Sequence, residues 1–101
     1  MVLRYTCTAT LWLFPGEAGW HFLTVPAEVS AQIREDTVAF RRGFGSVKVT
    51  AGIAGLSWST SLFPDSTSGS YLLPVKKAVR ISAGIKAGDQ VTVHLELPES
   101  A

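Results

Sequence analysis

"LRYTCTATLWL", residues 3–13, sets Leu3, Tyr5, Cys7, Ala9, Leu11 and Leu13 in alternation with Arg4, Thr6, Thr8, Thr10 and Trp12. Successive side chains of a strand point to opposite faces, so a period of two sustained over this length predicts a strand with one face in a core. Cys7 falls on the apolar face with no helix start or cation beside it, and is expected to be a buried, unreactive thiol. Working outward, "PGEAG" (15–19) reads as a turn and "WHFLTV" (20–25) as the return arm of a hairpin. Pro26 suits the first turn of a helix, and "PAEVSAQIRED" (26–36) places Val29 and Ile33 on one side, with Glu28, Gln32 and Arg34 elsewhere.

The same period returns twice more. In "SVKVTAGI" (46–53), Val47, Val49, Ala51 and Ile53 point inward against Ser46, Lys48 and Thr50. In "LSWSTSLF" (56–63), Leu56, Trp58 and Leu62 share a face. The Ile53-Ala54-Gly55-Leu56 link fits a tight hairpin, although Gly52 and Gly55 are also compatible with a bulge or sharp bend. "PDSTSGS" (64–70) is a loop made wholly of turn formers and small polar residues. "YLLP" (71–74) reads as a brief strand, "VKKAVRISA" (75–83) as a helical segment and "GIKAGD" (84–89) as a turn. "QVTVHLEL" (90–97) is a last strand, with Val91, Val93, Leu95 and Leu97 facing one way.

The fold class expected is mostly β: a small closed or nearly closed β-barrel of about six strands with two short helices. Closure is the economical solution because a sheet this small must otherwise protect two open edges. There is also an internal echo. "FLTVPAEVSAQI" and "YLLPVKKAVRI" each run strand, proline, then a helical turn ending in isoleucine seven residues after the proline, which suggests an internal twofold.

With 101 residues, the chain reads as a single domain over 1–101, able to bury roughly 65% of its extended surface. Its 47% hydrophobic and 17% charged content is that of a folded globular protein. A net charge of +1 provides no overall field toward nucleic acid or anionic membrane, so any basic patch must be local. One cysteine excludes an internal disulfide framework. The opening residues lack the apolar core and cleavage site of a signal peptide, and no apolar stretch is long enough to span a membrane. A soluble, cytoplasmic protein with no membrane contact is the expectation.

Across almost the whole chain, "GWHFLTVPAEV", "SLFPDSTSGSYLLPVKKAVR" and "GIKAGDQVTVHLEL" resemble, in that order, the small β-barrel family called domain of unknown function 1905. The matching positions are Gly19-Trp20, Ser61-Leu62 with Pro64, Leu73-Pro74-Val75-Lys76-Lys77 with Arg80, and Gly84-Ile85 with Gly88-Asp89. The resemblance implies a fold and no assigned activity; members of the family occur alone or beside a second small domain. Residues 69–97 are also similar to the swapped-hairpin DNA-binding domains of AbrB type. In those, a strand, a proline-started helix and a Gly-Asp turn form half of a dimeric barrel; here the chain supplies its own other half, and the motif can report a shared closure without shared DNA binding.

For function, the segment after Pro74 carries most interest. Val75 and Val79 would face the barrel, while Lys76 and Arg80, four apart, and Lys77 beside them could hold a carboxylate or phosphate. The plainer reading is that the three are solvated, with their stems covering the barrel end. Arg41 and Arg42, interleaved with Phe40 and Phe44, form a secondary basic loop that could follow a nucleic-acid backbone, or be an ordinary exposed loop. Trp58 is expected in the core; Trp12 lies on a polar face, either as part of a partner surface or capped by a helix. His21 and His94 stand alone in their strands, with no metal-ligand spacing, so no metal is expected. "LSWST" lacks the glycines of a nucleophile elbow. Asp89 is expected to hold its own turn. With no cofactor fingerprint and no close pair of carboxylates, the expectation leans away from an enzyme. The leading reading is a non-enzymatic binding or interaction module for a small anionic ligand or a protein partner. Its contact element is Lys76 to Arg80 together with the 64–70 loop. The alternatives are an AbrB-like DNA-binding regulator, nucleic acid being the less favoured partner, and an enzyme with a barrel-end cavity.

Overall fold

The structure, a computed structural model, describes residues 2–39 and 45–98. In chain order the elements are β1 (Val2–Leu13), β2 (His21–Thr24), α1 (Ala27–Asp36), β3 (Val47–Ile53), β4 (Leu56–Pro64), β5 (Tyr71–Pro74), α2 (Lys77–Ala83) and β6 (Gln90–Pro98). The strands close into a barrel in the order β1-β2-β5-β4-β3-β6, every neighbour antiparallel. The expected six strands, two helices and closure are all present.

Two long strands turn the corners of the barrel. β1 pairs with β6 from Val2 to Thr10 and then with β2 from Leu11 to Leu13. β4 does the same, pairing with β3 from Leu56 to Leu62 and with β5 at Phe63 and Pro64. Strands that change partner in this way carry a sheet around a corner without leaving an open edge. Their inward residues fill the interior: Leu11, Leu23, Leu62, Leu73, Leu95 and Leu97 are almost wholly buried, and Trp58 and Cys7 join the same cluster. Burial pushes the Cys7 thiol above its ordinary value, which keeps it protonated and inert.

The turns bear out their residues. Ala54 and Gly55 both have positive φ, 51° and 82°, the geometry that lets a two-residue hairpin follow strand twist. The tight hairpin is therefore the right reading of that link. Asp89 accepts the backbone N–H of Lys86 at 2.9 Å and so holds its own turn. α2 ends on Gly84 in the left-handed region, where the backbone N–H of Ile85 reaches back to the Arg80 carbonyl. One boundary needs correction. α2 starts at Lys77 with Lys76 as its cap, whereas the sequence reading began it at Val75. Val75 stays in extended chain because its N–H continues the ladder to the His21 carbonyl at 2.9 Å.

The internal echo is real in topology, but its alignment differs from the one the prolines suggest. β1, β2, α1 and β3 correspond to β4, β5, α2 and β6, and exchanging the two sets leaves the strand order of the closed ring unchanged. The axis passes between Leu23 and Leu73, which face each other in the β2–β5 ladder. On either side, Val25 donates to the Tyr71 carbonyl at 2.8 Å, the counterpart of the Val75 bond to His21. The true counterparts are thus His21 and Tyr71, Val25 and Val75, Val29 and Val79, and Ser30 and Arg80. Pro26 and Pro74 are not equivalent: Pro26 caps α1, while Pro74 sits inside β5 opposite Phe22.

The end of α1 is tied to β1 by the Tyr5 hydroxyl, which donates to the Asp36 carboxylate at 2.6 Å. Burial first, and then that carboxylate, push the Tyr5 phenol well above its ordinary 10.0. A raised folded value means the folded state holds its proton longer than the unfolded chain does. The contribution is therefore complete below pH 10 and is lost as pH rises beyond it. In alkaline spectrophotometric titration Tyr5→Phe is expected to remove a late-ionising tyrosine from the native profile. Ionisation of Tyr5 at the free-tyrosine value would refute the contact.

Candidate functional site

At the end of the barrel where β2 begins and β5 runs into α2 lies a cleft of about 620 Å³, walled by Trp20, His21, Thr60, Lys76, Lys77 and Arg80, with no carboxylate on its lining among the described residues. The structure thus brings together the three cations picked from the sequence. Lys76 and Lys77 are exposed, and Arg80 is half-buried. None of the three forms an ion pair among the described residues, where Arg4 and Glu96 make one across the β1–β6 ladder. Arg41 and Arg42, the secondary basic loop, lie outside the described residues.

One backbone carbonyl and one side chain hold Arg80 in place. Its Nε donates to the Val75 carbonyl at 3.2 Å, which satisfies the strand end just before the helix. One of its η-nitrogens lies 3.5 Å from Nε2 of His21, the outer limit of hydrogen bonding. His21 is itself oriented through Nδ1, 2.8 Å from the Gly19 carbonyl. A carbonyl oxygen can only accept, so Nδ1 carries the hydrogen there, and a guanidinium can only donate, so Nε2 receives. The guanidinium brings its positive charge to the cleft, where no carboxylate of the described residues pairs with it. Low-dielectric walls concentrate such a field, which favours an incoming anion.

The twofold lets this corner be compared with its counterpart inside the same molecule. Opposite Arg80 stands Ser30, whose hydroxyl donates to the Val25 carbonyl at 3.0 Å, the equivalent of the bond Arg80 makes to Val75. Opposite His21 stands Tyr71, which is 1% exposed and fills the corner with its ring. The Tyr71 N–H donates to the Ser30 hydroxyl, and Arg34 covers the ring at 5.5 Å while donating to the Gly69 carbonyl. One corner is therefore plugged, and the other is open and cationic. A serine suffices to satisfy the strand carbonyl, so the charge at Arg80 is not needed for that structural task.

Beside the cleft the barrel exposes aromatic rings. Trp12 is neither isolated nor capped by a helix: its indole N–H donates to Thr24 at 2.9 Å, and its ring meets Phe22 at 5.4 Å. Phe14 meets Phe22 edge to face, and Trp20 stacks on Phe22 at 6.1 Å with only 8° between the planes. Phe63, Leu72 and Pro74 extend this surface into a groove of about 330 Å³ with Phe14, Trp20 and Phe22, and Trp20 and Pro74 wall both groove and cleft.

The sequence reading missed His21 and Trp20 as companions of Arg80, and it assigned the 64–70 loop to the contact element. That loop instead folds on Asp65, which accepts from Ser68 at 2.8 Å, and meets α1 through Arg34; the 18–20 turn borders the cleft. Both differences follow from the β2–β5 ladder, which joins segments far apart in the chain. His94 faces outward and bonds Thr6 at 2.9 Å. Among the described residues no three His, Cys, Asp or Glu side chains gather as a metal site. Among the described residues no helix is long and apolar enough to cross a membrane.

Fold and corner together define a small single-chain barrel with internal twofold topology, one of whose two equivalent corners is open. Residues 8–95 match the family described as Domain of unknown function (DUF1905), and the chain belongs to that family. No curated protein matches it significantly.

Proposed function

We propose that this protein is a binding module whose open corner receives an anionic group, held by Arg80 with Lys76 and Lys77. The observation that supports this most is the Ser30–Arg80 comparison: two equivalent positions make the same bond to a strand carbonyl, and only one carries a charge. Among the described residues no carboxylate lines that cleft to neutralise the charge, and charge-assisted bonds to a guanidinium are among the stronger polar contacts available.

The comparison also supplies the variant for the test. Arg80→Ser should keep the bond to Val75 and remove the charge. Thermal unfolding followed across an inorganic phosphate titration is expected to show a rise in Tm for the native chain, amounting to about 2.7 kcal/mol at a hundredfold excess over Kd. The rise should vanish in Arg80→Ser and shrink in Lys76→Ala. A rise of the same size in Arg80→Ser would reject the corner as the anion site.

A further inference from the structure

We infer that the ligand of the open corner is a nucleoside monophosphate, its phosphate among Lys76, Lys77 and Arg80 and its base stacked on Trp20 at the mouth of the aromatic groove. This rests on the anion reading above and adds the identity of the rest of the ligand.

Size is the first argument. A cleft of about 620 Å³ falls within the roughly 300–1,000 Å³ that organic ligands occupy, and a lone phosphate leaves most of it empty. Chemistry of the walls is the second. Trp20 is 56% exposed, yet its ring is held nearly parallel to Phe22, so it presents an oriented flat surface between the cations and the apolar groove. An oriented indole is a stacking platform, and every base has a π-face to lay on it. A phosphate monoester carries about −1.5 to −2 charge, which three cations with no competing carboxylate among the described residues complement.

Two larger partners fit less well. A peptide cannot add as a strand, because the barrel is closed and offers no free edge. A nucleic-acid strand needs a basic track along successive phosphates, whereas this cleft concentrates three cations at one point on a chain of net charge +1.

The test uses four probes on the full chain: AMP, ribose 5-phosphate, adenosine and inorganic phosphate, followed by calorimetry and by the Trp20 indole N–H resonance. AMP is expected to bind at least about fivefold more tightly than ribose 5-phosphate and to shift the Trp20 signal, since stacking one base on an aromatic ring contributes about that much or more. Trp20→Ala should bring AMP down to the ribose 5-phosphate level, and Trp20→Phe should restore part of the difference. Arg80→Ser should weaken both phosphates. Equal affinity for AMP and ribose 5-phosphate would overturn the stacked base while leaving the anion site standing; adenosine binding as well as AMP would overturn both. If a glutamate-rich peptide containing phenylalanine displaced AMP at lower concentration, the ligand would be a protein. Affinity climbing steeply from AMP to an oligo(dA) of several nucleotides would make it a strand.

Discussion

Leu23→Ala and Leu73→Ala are each expected to lose about 2–5 kcal/mol of folding free energy, seen as a lower urea midpoint with an unchanged slope. Both side chains are almost completely buried, and they face each other across the ladder through which the internal axis passes. Removing either leaves a cavity in the barrel interior, where the closed ring limits collapse. Because the two residues are direct neighbours, the double variant should depart from additivity by more than the few tenths of a kcal/mol typical of distant sites. A domain of this size has about 5–15 kcal/mol in total, so the double variant is expected to be largely unfolded at room temperature. Single losses below 1 kcal/mol would mean the interior is not packed around this pair.

Ser30→Ala is expected to destabilise far more than Arg80→Ala, although both remove a side-chain bond to an equivalent carbonyl. Ser30 is 1% exposed, and its hydroxyl donates to the Val25 carbonyl and accepts from the Tyr71 N–H, so its loss strands two buried backbone groups. Each such group costs about 1–3 kcal/mol. The bond from Arg80 lies at the wall of an open cleft, where water can replace it, and its loss is expected to stay within about 1 kcal/mol. Phosphate binding should respond in the opposite order, abolished by Arg80→Ala and retained by Ser30→Ala. Equal stability losses in the two variants would remove the distinction between a plugged and an open corner.

The barrel was legible in the sequence because period two survives in β1, β3, β4 and β6, and each alternation names its own inward face. The β-formers of β2 and β5 are too short for a period; their flanking turn residues and prolines identified them. Those prolines also misled. Aligning Pro26 with Pro74 shifts one half against the other by two residues and hides the correspondence of Ser30 with Arg80, which only the Leu23–Leu73 register reveals. Lys76, Lys77 and Arg80 were visible as a group because they are adjacent in the chain. Trp20 and His21 were not, since their place beside Arg80 depends on a long-range ladder that no local pattern encodes. Trp12 looked exposed because its phase is outward; its cover comes from Phe22, an outward residue of the next strand, which intrastrand alternation cannot disclose.

The Ala54–Gly55 turn joins the two corresponding sets of elements into one polypeptide. Were the barrel assembled from two identical molecules, every substitution would appear at both corners at once, so a residue suited to gripping a ligand would also be forced into the place where Tyr71 now seals the interior. Covalent linkage lifts that obligation. One copy can be committed to durability while the other is free to drift toward recognition, and the anion reading proposed above then requires one site per barrel in place of two.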